Sequence, residues 1–172
     1  MFLSDAVLLG FASAAALCDL GTGKIPNALT GCGLCCGAVH MLFAAQGPPL
    51  LRLWSFLGGA AVPLLLLGWL FILRMIGAGD IKLLCMAGSF LGPRRAASCV
   101  LFSFLFGGAV SAYLVWRRGN LFSRLSRFGS YISDLVRTGQ RRPYRNTADT
   151  GGEFCFSVPV LLALICILGG GF

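Results

Sequence analysis

Six apolar runs, at about 6–18, 28–45, 53–73, 81–92, 96–116 and 155–171, occupy most of the chain and are joined by short links. A helix needs roughly 20 apolar residues to cross the hydrocarbon of a bilayer. The 172 residues therefore hold about six spans, with roughly 50 left for connections and none for a separate soluble domain. Composition agrees: 57% of residues are hydrophobic and only 12% charged, with mean hydropathy +0.84. A soluble domain carries about 25% charged residues, so this chain lacks the polar atoms to cover its own surface in water. Intrinsic disorder, a disulfide-stapled secreted fold and a soluble nucleic-acid binder are excluded, the last because the net charge of +8 sits beside hydrophobic spans. The expectation is an all-α, polytopic membrane protein with about six transmembrane helices, one integral-membrane domain over 1–172.

Short loops rich in Lys and Arg stay on the cytoplasmic side. With the N-terminus outside, the inner side collects Lys24, Arg74, Lys82, Arg117, Arg118, Arg124, Arg127, Arg137, Arg141, Arg142 and Arg145, and the outer side only Arg52, Arg94 and Arg95. That imbalance orients the chain and places both termini outside. One long connection, about 117–153, is a basic cytoplasmic loop. Within it Leu121, Leu125, Phe128, Ile132 and Leu135 recur at helical spacing with Arg124, Arg127 and Arg137 beside them. This predicts an interfacial amphipathic helix on the inner leaflet. Its cations are read as topology and lipid contact, making membrane lipid a partner.

The six acids carry the most information. Asp5, Asp134, Asp149 and Glu153 fall in termini or loops, where water solvates them. Asp19 ends the first span and Asp80 opens the fourth. An ionisable side chain at such a depth is costly unless it is paired or faces a wet cavity, so it marks function. In the orientation above, both lie at the cytoplasmic ends of their helices and share one depth. Two carboxylates brought close do not both ionise easily, so the pair holds a shared proton. That state suits peptide hydrolysis, in which one partner takes a proton from attacking water and the other donates to the carbonyl oxygen. The helix dipole favours negative charge on Asp80. Gly77, Ala78 and Gly79 precede Asp80 with little side-chain bulk, and Pro26 with Asn27 suits the start of a helix. The alternative, that each Asp is a helix-end charge held by Lys24 or Lys82, stays open at this point.

The stretch Asp-Leu-Gly-Thr-Gly-Lys-Ile-Pro-Asn at 19–27, together with Gly-Ala-Gly-Asp-Ile-Lys at 77–82, resembles the type IV prepilin peptidases, membrane aspartic proteases with a Gly-x-Gly-Asp motif. The resemblance implies an endopeptidase of the bacterial cytoplasmic membrane with its active site facing the cytoplasm. Asp19 and Asp80 would be the catalytic pair, and Lys24, Pro26, Asn27, Gly77, Gly79 and Lys82 would support the site. The implied partner is a prepilin-like protein with an N-terminal transmembrane helix, its leader cut after a Gly. Longer members carry two Cys-x-x-Cys pairs for zinc and also methylate the new amino terminus. This chain lacks that insertion and resembles the short, peptidase-only forms found with tight-adherence pili. No metal, no cofactor and no nucleic-acid partner are expected. Presenilin-like proteases share the Gly-x-Gly-Asp motif but pair it with Tyr-Asp and Pro-Ala-Leu motifs, which are absent here.

Two other classes remain open on sequence. Membrane carboxylates also mark the path of an ion- or proton-coupled transporter, although a carrier places them near mid-membrane. A non-enzymatic pilus assembly scaffold would tolerate Asn at either position. The eight Cys residues are scattered through apolar runs, where Cys packs as a small hydrophobe. His40 is expected to make a helix–helix hydrogen bond. Gly58, Gly59, Gly107 and Gly108 mark patches of close helix approach. Pro63 is expected to kink the third span, and Pro159 the start of the last.

Overall fold

The computed structural model describes residues 2–43, 48–73, 75–118 and 155–170. All secondary structure among them is α-helical: α1 Phe2–Thr22, α2 Asn27–Phe43, α3 Pro49–Ile72, α4 Ala78–Arg118 and α5 Ser157–Gly170. Three stretches, Leu3–Thr22, Pro49–Ile72 and Ala78–Tyr113, are long and apolar enough to cross a membrane. Asn27–Phe43 and Ser157–Gly170 are shorter apolar helices. The predicted amphipathic helix at 121–135 lies outside the described residues.

Local chemistry explains the boundaries. The Gly23 N–H donates to the Asp19 carbonyl at 2.8 Å, and φ of +64° at Gly23 ends α1, a left-handed angle that glycine adopts without cost. Asn27 then opens α2 after Pro26, as its sequence predicts. Pro49 occupies the first turn of α3, where a missing N–H costs nothing. Pro63 is buried inside α3, whose helix continues from Pro49 to Ile72. Pro159 falls in the first turn of α5, again where proline fits a helix.

The decisive break lies elsewhere. Gly92 has φ 77° and ψ 171°, outside helical space, and Pro93 follows it within α4. A Cβ placed on Gly88 would lie 3.2 Å from that of Ala96. In a straight helix eight residues span about 12 Å, so the two segments of α4 bend sharply back on one another. The division matches the separate runs at 81–92 and 96–116, which a count of helices alone merges. Such angles are available essentially to glycine only. Gly92→Ala is expected to cost about 1–3 kcal/mol, seen as a lowered unfolding midpoint in detergent.

The chain forms two compact units, Met1–Phe106 with Cys155–Phe172, and Gly107–Phe154. The described part of the second is the end of α4, where Tyr113 and Trp116 are exposed. In the first, α1 packs against α2 and α5, and α2 against α3. Its core joins Leu8, Ala12 and Ala15 of α1, Leu67 of α3, and Val160, Ala163, Leu164 and Ile167 of α5 around the first segment of α4. That segment supplies Ile81, Leu83, Leu84, Met86, Ala87 and Phe90, all buried. Meanwhile Leu64, Leu65, Leu66 and Trp69 of α3 are exposed. A large apolar surface outside and an apolar core inside is the pattern of a membrane protein, whose solvent is lipid.

Small residues permit the closest contact. Cβ atoms on Gly59 of α3 or Gly88 of α4 would fall on the carbonyl oxygen of the other, so the two backbones touch. The Gly58–Gly59 patch thus has its partner at Gly88, while a Cβ on Gly108 would meet nothing within 4 Å among the described residues. His40 departs from expectation. Its ring stacks on Phe90 with centroids 5.9 Å apart, and its buried Nδ1 has no hydrogen-bond partner among the described residues. An aromatic stack thus takes the place of the expected interhelical hydrogen bond.

Candidate active site

Asp19 lies in the last turn of α1 and Asp80 in the first turn of α4. Sixty residues of chain separate them, yet Asp80 lies within electrostatic reach of Asp19. The flanking motifs meet as well. Lys82 Nζ donates a 2.8 Å hydrogen bond to Asn27 Oδ1, tying the start of α4 to the start of α2. A Cβ on Gly79 would contact Ile25 at 3.4–3.5 Å, so the glycine stretch lies against the link between α1 and α2. The structure therefore brings Asp19, Asn27, Gly79, Asp80 and Lys82 into one neighbourhood.

The glycines shape the approach to Asp80. The Gly77 backbone hydrogen-bonds the Asp80 carboxylate. A Cβ on Gly77 would stand 3.2 Å from Asp80 Oδ2, tighter than ordinary van der Waals contact. Gly77→Val is expected to displace that carboxylate and slow any reaction that depends on it roughly 10- to 100-fold, with an unchanged unfolding midpoint as the check on folding.

The remaining predicted positions hold the connection. Lys24 is exposed, and its carbonyl accepts a 3.1 Å hydrogen bond from Thr22 Oγ1, which also bonds the Cys18 carbonyl at 2.8 Å. The Pro26 carbonyl accepts the Thr30 N–H at 3.4 Å. These contacts fix the backbone between α1 and α2 without bringing the Lys24 ammonium to an acid in any described contact.

Two site neighbours escaped sequence reasoning. Ser157 Oγ donates a 2.6 Å hydrogen bond to Asp19 Oδ2, and Cys155 Sγ contacts the Asp19 carbonyl oxygen at 3.8 Å. Both come from the start of α5, 138 and 136 positions away. Nothing local in Phe-Cys-Phe-Ser-Val-Pro signals such a contact beyond one small polar side chain in an apolar stretch. The contact also alters the electrostatics. Sequence reasoning reserved the helix-dipole advantage for Asp80, but Asp19 meets the N-terminal end of α5, so each acid faces the positive end of a helix. Among the described residues, no three His, Cys, Asp or Glu side chains are grouped as a metal-ligand set.

Two acids at helix ends, within electrostatic reach of one another in a helical bundle with an apolar exterior, place the chain among helical membrane proteins. The model of the type IV leader peptidase family matches residues 6–112, more than half of the chain and both aspartate motifs. The chain belongs to that family, and is thus a membrane protease. No curated protein and no solved structure matches it.

Proposed function

We propose that the protein is an aspartic endopeptidase that removes the N-terminal leader of a prepilin-like substrate at the cytoplasmic face of a bacterial inner membrane. Asp19 and Asp80 act as the catalytic pair. What most supports this reading is that Asp19 and Asp80, at the ends of separate helices, lie within electrostatic reach of one another.

Repulsion between adjacent carboxylates favours one proton shared by the pair. The ionised partner accepts a proton from water as its oxygen attacks the scissile carbonyl carbon, and the protonated partner donates to the carbonyl oxygen. Collapse of the tetrahedral intermediate then breaks the C–N bond, with a proton delivered to the leaving amine and the pair returned to its starting state. The surrounding contacts supply geometry: Lys82 with Asn27 holds α4 to α2, and Gly77 and Gly79 leave room for an extended peptide. The six-span topology expected from the sequence supports the cytoplasmic assignment, since the cations of the Asp19 and Asp80 loops fall on the Arg-rich side. A pilin's apolar helix then stays in lipid while its polar leader reaches the acids. By the same reasoning the enzyme resembles the peptidase-only form that serves tight-adherence pili.

The test is reconstitution of the full chain in liposomes with a leader-bearing pilin precursor, followed by N-terminal sequencing of the product. A mature chain beginning directly after the leader's Gly is expected. Intact precursor, or cleavage that persists in either Asp19→Asn or Asp80→Asn, rejects the assignment. Ion flux through the same liposomes without cleavage would point to a transporter instead.

A further inference from the structure

We propose that Ser157 is a positioning residue for Asp19, holding its carboxylate in the orientation that presents Oδ1 to water and to Asp80. The proposal rests on the peptidase reading above and adds to it a residue from outside the matched family region of 6–112.

The terminal torsion of an aspartate is soft, with a broad distribution rather than sharp wells. An unrestrained Asp19 would therefore sample many carboxylate planes. The Ser157 hydroxyl removes that freedom by bonding Oδ2 at 2.6 Å, at the short end of the usual O–H···O range. Its own position is firmly set. Ser157 is 0% exposed and begins α5, whose Val160, Ala163 and Leu164 are also 0% exposed in the core. Cys155 contacts the Asp19 main chain from the same segment. Side chain and backbone of Asp19 are thus both bracketed by residues entering α5.

Full burial also fixes how Ser157 acts. With no exposed surface it does not touch a substrate, so removing its hydroxyl leaves binding alone and changes only the alignment of the reacting group. A residue of that kind moves kcat and spares KM. A merely structural serine would instead lower the amount of folded protein and leave the kinetics of the folded fraction intact.

The experiment compares wild type, Ser157→Ala and Ser157→Thr in the liposome assay, with kcat, KM and the unfolding midpoint measured for each. Ser157→Ala is expected to lose about 10- to 100-fold in kcat, with KM within about twofold, and Ser157→Thr, which restores the hydroxyl, to recover most of the loss. A kcat for Ser157→Ala within twofold of wild type overturns the proposal, as does a Thr variant no better than Ala. Should Ser157→Ala fail to fold, Ser157→Thr against Ser157→Val, equal in shape and different in the hydroxyl, makes the same comparison, and equal kcat values overturn it. Asp19→Asn is run alongside. Its inactivity beside an active wild type keeps the peptidase reading in place whatever Ser157 does, whereas an active Asp19→Asn overturns both.

Discussion

Asp19→Asn and Asp80→Asn are each expected to lower leader cleavage by about 10³-fold or more while leaving the helical fold intact. General acid–base catalysis contributes about 10²–10⁴-fold per positioned group, and here one group's loss removes its partner's function too. An amide neither accepts the proton from attacking water nor supplies one to the carbonyl oxygen. Asn is close to Asp in size and keeps an acceptor for the Ser157 hydroxyl and for the Gly77 backbone, so helix packing should persist. The double variant should be no worse than either single one, because the pair acts as a unit. Cleavage by quantified, folded protein is the measurement. Retention of more than a tenth of wild-type rate by either variant would sink the shared-proton mechanism.

The second large effect is on folding. Gly88→Val is expected to destabilise the protein by about 3 kcal/mol or more, enough to deplete the folded state of a marginally stable bundle. The added Cβ would land on the Gly59 carbonyl and press on Ala96, and the obstructing atom is backbone rather than a yielding side chain. Gly68→Ala on α3 is the control, since a Cβ there meets nothing within 4 Å among the described residues. Monodisperse yield and unfolding midpoint in detergent should separate the two sharply. A Gly88→Val protein as stable as Gly68→Ala would show that α3 and α4 do not approach through these glycines.

Much of the site was legible because its signals are local. Scarce charge in an apolar chain singles out Asp19 and Asp80, and the Pro26–Asn27 and Gly92–Pro93 pairs announce where helices start and break. Close helix approach at Gly59 was legible too, but its partner Gly88 was not, since a glycine names a possible contact and not the chain that makes it. Pro63 lies buried within α3, whose helical hydrogen bonding continues past it to Ile72. His40 read as a hydrogen-bonding group because a polar ring in lipid seeks a partner, yet the Phe90 ring covers it instead. Ser157 was invisible because its meaning depends wholly on a residue 138 positions away.

That last distance has a consequence for biosynthesis. α1 packs against both α2 and α5, so a chain still emerging from the ribosome supplies the first of these neighbours well before the second. Until α5 arrives, the Asp19 carboxylate lacks the Ser157 hydroxyl that bonds it. Under the proposed mechanism, a nascent chain without α5 would carry both acids but lack the contact that fixes one of them.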